Sequence, residues 1–279
     1  MKNNIDRNTN EIQKVQMVVF DWAGTTVDYA SSAPSTVFDH IFTAAGIRLT
    51  KEEINRPMGM EKKAHIRELL SCESGNSQWL QVYNRPWTEQ DVEDLYQKFE
   101  DTLYQVVAGY STPIPGVVET VNELRERGIK IGSTTGYTSQ IMEQVIPGAR
   151  EKGYCADCVI TPDVTGASRP TPFMLFECMR RMNVYPPCTV VKVGDTVLDM
   201  AEGKNAGTWT VGILTGSNLL GLSQDEYEAL SPEELADRKC EIAEIYRQAG
   251  ADMVIDSISD LPGAIEEFNR RLAAEEAAK

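Results

Sequence analysis

Four short stretches place oxygen-bearing or cationic side chains directly after apolar runs. In Val18-Val19-Phe20-Asp21-Trp22-Ala23-Gly24-Thr25-Thr26-Val27-Asp28 the run ends on a carboxylate, and a small, polar, glycine-containing turn follows. A buried parallel strand reads as a continuous apolar run, and ligands collect outside its carboxyl end. Asp21 therefore falls at the lip of a site, with backbone N–H groups of the turn free to meet an anion. A second strand ends in Ser133-Thr134-Thr135-Gly136-Tyr137, a hydroxyl-rich turn suited to phosphate oxygens. Arg169-Pro170 lies in the loop after a short third strand, and Val190-Val191-Lys192-Val193-Gly194-Asp195-Thr196-Val197-Leu198-Asp199 sets two carboxylates just past a fourth. Neighbouring strand ends lie about 5 Å apart, so Asp21, Asp195 and Asp199 can converge on one hard cation. Carboxylates, a backbone carbonyl and waters suit Mg²⁺. Singly, each stretch is explained by turn formation or helix capping. All four in register point to phosphoryl transfer.

A fifth candidate is a lysine. In Met58-Gly59-Met60-Glu61-Lys62-Lys63-Ala64-His65, Lys62 shares helical spacing with Ile66 and Leu69 and so lies on the apolar face. His65, one turn on, shares that side, and Lys63 falls on a solvated one. Lysines on apolar faces commonly snorkel to water. A desolvated lysine instead loses pKa and becomes a nucleophilic amine, the prerequisite for a Schiff base.

The elements that must position these groups follow from periodicity. Strands are expected at Gln16–Phe20, Ile129–Thr134, Cys158–Thr161, Thr189–Gly194, Thr208–Ile213 and Asp252–Ile255. Between the first two, residues 30–108 read as helical: Ser35–Ala45, a short helix capped by Thr50 and Glu53, Met60–Leu70, and a long amphipathic helix from Thr88. Ser71–Trp87 reads as irregular. From 115 onward helices alternate with strands, ending in two acidic helices near 224–249 and a closing helix whose last residues, Leu272–Lys279, read as a solvated tail. Alternation of this kind predicts an α/β doubly wound parallel sheet. The expected organisation is a frayed lead-in over 1–15, a core over 16–29 and 109–279, and an inserted helical cap over 30–108 above the sheet's carboxyl edge.

Composition narrows the function classes. The chain has 279 residues and a formal charge of −15, which disfavours nucleic acid or an anionic membrane as partner. Six scattered cysteines in a chain of this size fit reduced thiols in a cytoplasm. Cys155-Ala-Asp-Cys158 has redox or zinc spacing, but no second pair follows, so it reads as two small residues entering a strand. No signal peptide or membrane-length apolar run is visible.

The ordered set Asp21-x-x-Gly-Thr, Thr135-Gly136, Arg169 and Gly194-Asp195-x-x-x-Asp199 resembles the haloacid dehalogenase superfamily, whose first Asp takes up the phosphoryl group. Its phosphatases carry a second Asp two residues later that protonates the leaving oxygen. Here that position is Ala23, so the leaving group needs no proton from that side. Phe20–Tyr29, Arg56-Pro57-Met58-Gly59 with Lys62 and His65, Gly132–Tyr137 and Lys192–Thr196 resemble the phosphonoacetaldehyde hydrolase (phosphonatase) family within it, over nearly the whole chain. The resemblance implies C–P cleavage of a small phosphonate aldehyde. Asp21 would be the nucleophile and Lys62 the Schiff-base lysine. Asp21, the Ala23 carbonyl and Asp195 would hold Mg²⁺, with Asp199 orienting the metal's waters. Thr135 and Arg169 would serve the phosphoryl group. His65 would assist the imine, and Met58, Gly59, Gly136 and Tyr137 would line the substrate side. It also implies a homodimer through cap helices. Ser31 stands where some relatives carry a cysteine and receives no role. The competing readings are a phosphatase or phosphomutase, which Ala23 disfavours, and a non-catalytic binding relative, which the retention of Asp21 and Asp195 disfavours.

Overall fold

The computed structural model of the protein describes residues 14–278; residues 1–13 of the expected lead-in lie outside them. Val15, expected to fray, is buried and donates its N–H to Asn269 Oδ1 at 2.8 Å. Strand β1 (Met17–Phe20) is followed by five helices, α1 (Ser32–Ala44), α2 (Lys51–Asn55), α3 (Lys62–Ser71), α4 (Glu73–Tyr83) and α5 (Glu89–Val106). Next come α6 (Val117–Glu126), β2 (Lys130–Thr134), α7 (Ser139–Glu151), β3 (Cys158–Ile160), α8 (Pro162–Thr165) and α9 (Phe173–Met182). The chain then runs through β4 (Val190–Gly194), α10 (Val197–Ala206), β5 (Trp209–Ile213), α11 (Gln224–Ala229), α12 (Pro232–Gln248), β6 (Met253–Ile255) and α13 (Leu261–Ala277).

The six strands form one parallel sheet in the order β3-β2-β1-β4-β5-β6. Successive strands are added towards one edge from β1 to β3 and towards the other from β4 to β6, and the crevice at such a switch point is where doubly wound sheets bind ligands. Register aligns the strand ends: Phe20 pairs with Ser133 on one side and Val193 on the other. Alternation carries β1 into two cores, Val18 and Phe20 packing on one face and Met17 and Val19 on the other, the period of two that a strand covered on both faces requires.

Two further expectations are corrected. Ser71–Trp87 is not irregular, because α4 occupies most of it. Ser74, Gly75 and Asn76 are poor helix formers, which hid it. It forms because Cys72 Sγ caps the N–H of Gly75, Trp79 is buried and stacks on Tyr83, and Asn84 closes it at φ 53°. The solvated tail does not begin at Leu272, which is buried within α13. None of the six cysteines is in a disulfide. No described helix is long and apolar enough to cross a membrane.

Candidate active site

Asp21 follows β1 directly, its N–H donating to the carbonyl of Val193 at 2.9 Å, so the carboxylate projects from the switch point. The turn after it is tight: Thr25, Thr26 and Val27 all donate N–H to the Trp22 carbonyl. Gly24 sits at φ +83°, and a Cβ there would come within 2.1 Å of Asp195 Oδ2. Only glycine accommodates both the backbone angle and that approach. Asp195, just past β4, is fully buried and held by Thr25 Oγ1 at 2.8 Å and the N–H of Asn218 at 2.8 Å. Asp199 caps α10: its Oδ2 accepts from the N–H and hydroxyl of Thr196 at 3.1 and 2.6 Å, and its Oδ1 lies 3.1 Å from Arg169 and 2.9 Å from Lys192. Oxygens of Asp21, Asp195 and Asp199 all fall within 4.8 Å of one another.

Arg169 spans this cluster. Its Nη2 donates to Asp21 Oδ1 at 2.7 Å and to the Thr134 carbonyl at 2.9 Å, and its Nε donates to Glu202 at 3.1 Å. Burial pushes the Asp21 carboxyl up, outweighing the pull of Arg169. Asp195 is pushed well up by burial and then by the charges of Asp21 and Asp199. Asp199 is desolvated too, but Arg169 and Lys192 outweigh burial and hold it low. Three buried carboxylates, Asp21, Asp199 and Glu202, thus pair with two buried cations, Arg169 and Lys192, and the buried Asp195 adds a fourth carboxylate beside them. One divalent ion would balance them. Each oxygen of Asp195 accepts a single hydrogen bond and keeps a lone pair for it, and Asp21 is bonded through Oδ1, whereas each oxygen of Asp199 already faces two donors or cations. An all-oxygen donor set of this kind fits a hard cation.

Lys62 begins α3. It is 5% exposed, and its Nζ lies 5.4–5.8 Å from the ring centres of Phe38, Phe99 and Tyr137. Its apolar-face placement is therefore true burial rather than snorkelling. Burial pushes the amine down to about 8, against the upward pull of Asp21 and Glu100. His65 is fully buried against Phe38, with ring centres 4.0 Å apart. Its Nε2 lies 2.9 Å from the Ile54 carbonyl, so Nε2 carries the proton and donates. Nδ1 is left a bare lone pair without a partner. Burial, then the Lys62 cation, hold the imidazole well below its usual range, hence neutral. Tyr137 is buried with an unpartnered hydroxyl that burial keeps protonated.

Asp21, Ala23, Lys62, Thr135, Arg169 and Tyr137 line one cavity, closed further by Met58, Gly59, Gly136 and Ser31. It is small, about 20 Å³, which is room for one water. Gly59, at φ +90°, lies against Thr196, where a Cβ would come within 2.7 Å of Oγ1, so the helical segment and the sheet edge meet with no side chain between them. Thr135 accepts the N–H of Tyr137 at 3.1 Å, which orients its hydroxyl. Every candidate residue named from sequence except His65, Asp195 and Asp199 lines this cavity, and those three stand behind it. Lys192 and Glu202 were missed. A lysine inside a buried strand is rare unless paired, and that was the available signal.

Because an amine attacks only when neutral, trapping of a carbonyl compound on Lys62 should rise about tenfold per pH unit up to about pH 8 and level off above it. Borohydride-fixed adduct measured across pH 6–10 checks this. A rise continuing to pH 10 would show an ordinary solvated lysine.

The sequence profile of the haloacid dehalogenase-like hydrolases matches residues 15–207. The chain is 44% identical over 261 residues to a phosphonoacetaldehyde hydrolase of Bacteroides fragilis, covering 94% of this chain and 99% of the relative. It is also 44% identical over 258 residues to one from Bacillus cytotoxicus, covering 92% and 98%. The crystal structure of a phosphonoacetaldehyde hydrolase-like protein from Oleispira antarctica superposes with a TM-score of 0.92 at 35% identity, covering 96% of this chain and 97% of that one.

Proposed function

The chain belongs to the haloacid dehalogenase-like hydrolases and, among them, to the phosphonoacetaldehyde hydrolases, and we propose that it splits phosphonoacetaldehyde into acetaldehyde and phosphate through an imine on Lys62 and a phosphoryl group on Asp21. The observation that carries this reading is one cavity holding a desolvated lysine beside a strand-end carboxylate, with alanine where a phosphatase needs an acid.

Leaving-group chemistry requires the pairing. Direct C–P cleavage would expel a carbanion, too basic to leave. The neutral Lys62 amine adds to the aldehyde and water is lost, giving an iminium. His65, a buried neutral base one turn away, relays the proton that Lys62 sheds on to the hydroxyl that leaves as water, so counted from the Lys62 ammonium the exchange closes without net proton uptake. Asp21 then attacks phosphorus in line, and the C–P electron pair moves into the iminium, leaving an enamine. Arg169 and Thr135 meet the phosphoryl oxygens as charge develops. Water hydrolyses the acyl phosphate on Asp21, and the enamine takes a proton and is hydrolysed from Lys62 as acetaldehyde. Ala23 suffices because the departing carbon needs no acid.

Asp21, the Ala23 carbonyl and Asp195 would hold Mg²⁺, with Asp199 behind them. The ion would offset phosphoryl charge at this site. A cavity of about 20 Å³ does not admit the substrate, so residues 30–108 act as a cap that opens to load it and closes to exclude water. The enzyme works as a cytoplasmic homodimer in this reading.

The test is a substrate panel with Mg²⁺: phosphonoacetaldehyde beside common phosphomonoesters. Turnover of the phosphonate, exceeding the esters by at least about 10³-fold in kcat/KM, is the expected result, since the esters lack an acid for their alkoxide. Esters turned over as well as the phosphonate would make the protein a phosphatase.

A further inference from the structure

Glu202 takes no part in the steps above, yet it is fully buried on α10, one turn beyond Asp199. Its pairing is one-sided. Oε2 alone faces three donors: Arg169 Nε at 3.1 Å, Lys192 Nζ at 3.2 Å and Thr134 Oγ1 at 3.1 Å. Oε1 has no partner. Lys192, from the middle of β4, reaches on to Asp199 Oδ1 at 2.9 Å and Thr134 Oγ1 at 2.8 Å. Each nitrogen of Arg169 consequently has a fixed address: Nε on Glu202, Nη1 on Asp199, Nη2 on Asp21 and the Thr134 carbonyl. A guanidinium is a rigid planar fork. Once Nε and Nη1 are fixed, Nη2 has one direction left, towards Asp21.

We propose that Glu202 is a positioning residue for phosphoryl transfer, setting the plane of Arg169 from behind, with Lys192 clamping the Glu202 and Asp199 oxygens that Arg169 uses. The inference rests on the two-centre chemistry proposed above and divides it. Arg169 faces Lys62 across the cavity, but Lys62 and its aromatic surround lie on α3 and its neighbours, and among the described residues no hydrogen bond or ion pair joins them to Glu202 or Lys192. Loss of Glu202 therefore slows the phosphorus half of the reaction and spares the carbon half. A merely structural ion pair would lower both together.

The decisive experiment compares Glu202→Gln with the wild-type protein in Mg²⁺ and phosphonoacetaldehyde. Phosphate release is followed in single turnover, borohydride-trapped adduct at Lys62 by mass spectrometry, and folding by thermal melting. Glu202→Gln is expected to slow phosphate release roughly 10–100-fold, the range for losing a group that orients a reacting one. The Lys62 adduct should still form at the wild-type rate. Lys192→Met should give the same split more weakly. If Glu202→Gln does not fold, Glu202→Leu combined with Lys192→Met removes the pair with its charges balanced, a replacement buried ion pairs tolerate, and must show the split instead. Phosphate release at the wild-type rate in a folded variant overturns the assignment, as does equal loss of release and adduct. Absence of any adduct in the wild-type protein would overturn the Schiff-base reading, and the brace would then stand or fall on phosphate release alone.

Discussion

Lys62→Arg should abolish phosphonate cleavage, lowering turnover on the order of 10⁴-fold or more, the scale on which loss of a covalent catalytic residue registers. The substitution keeps a cation among Phe38, Phe99 and Tyr137 but removes the only chemistry an amine can supply there. A guanidinium does not deprotonate near neutrality and does not condense with an aldehyde. Asp21, Arg169 and the carboxylate cluster remain, so the variant retains everything a phosphatase of this fold uses apart from the acid replaced by Ala23. Steady-state assay with phosphonoacetaldehyde, together with borohydride trapping, decides the matter. Turnover within tenfold of wild type would mean that the C–P bond breaks without an imine.

Asp21→Asn should produce the complementary defect. Phosphate release should fall on a similar scale, because the amide neither attacks phosphorus nor retains the charge. The adduct on Lys62 should nevertheless accumulate. The Asp21 charge raises the Lys62 pKa, so removing it leaves more of the amine neutral at pH 7, not less. Mass spectrometry of the borohydride-treated variant should find the reduced adduct on Lys62 with no phosphate formed. Loss of the adduct together with phosphate would show that the two centres do not act separately.

Much of this arrangement is legible in the sequence. Asp21, Asp195 and Asp199 stand where apolar runs end, and strand order cannot move a strand's end away from the sheet's carboxyl edge. Thr135 and Lys62 were legible for a related reason, since each marks a break in a regular hydrophobic pattern. Helix α4 was not, because Ser74, Gly75 and Asn76 argue against a helix locally and only the burial of Trp79 overrides them. Leu272 was placed with a solvated tail because the residues around it are polar, whereas its own side chain packs into the core. Glu202 and Lys192 escaped for a deeper reason. Their significance lies in a shared oxygen reached from β4, α10 and the loop before α9, a coincidence of three distant segments that no local pattern records.

The surround of aromatic rings that strips Lys62 of water also sets a limit on the molecule's robustness. Its amine sits at about 8 instead of 10.5, so at neutral pH the unfolded chain holds that proton more tightly than the folded one, a difference of roughly 3 kcal/mol. The handicap is complete below pH 8 and fades as pH climbs through 10.5, above which neither form is protonated. Any drift towards a hardier fold would therefore favour replacing this side chain with an inert one, and continued turnover is what opposes it. Ruggedness and reactivity compete at a single position on a single helix.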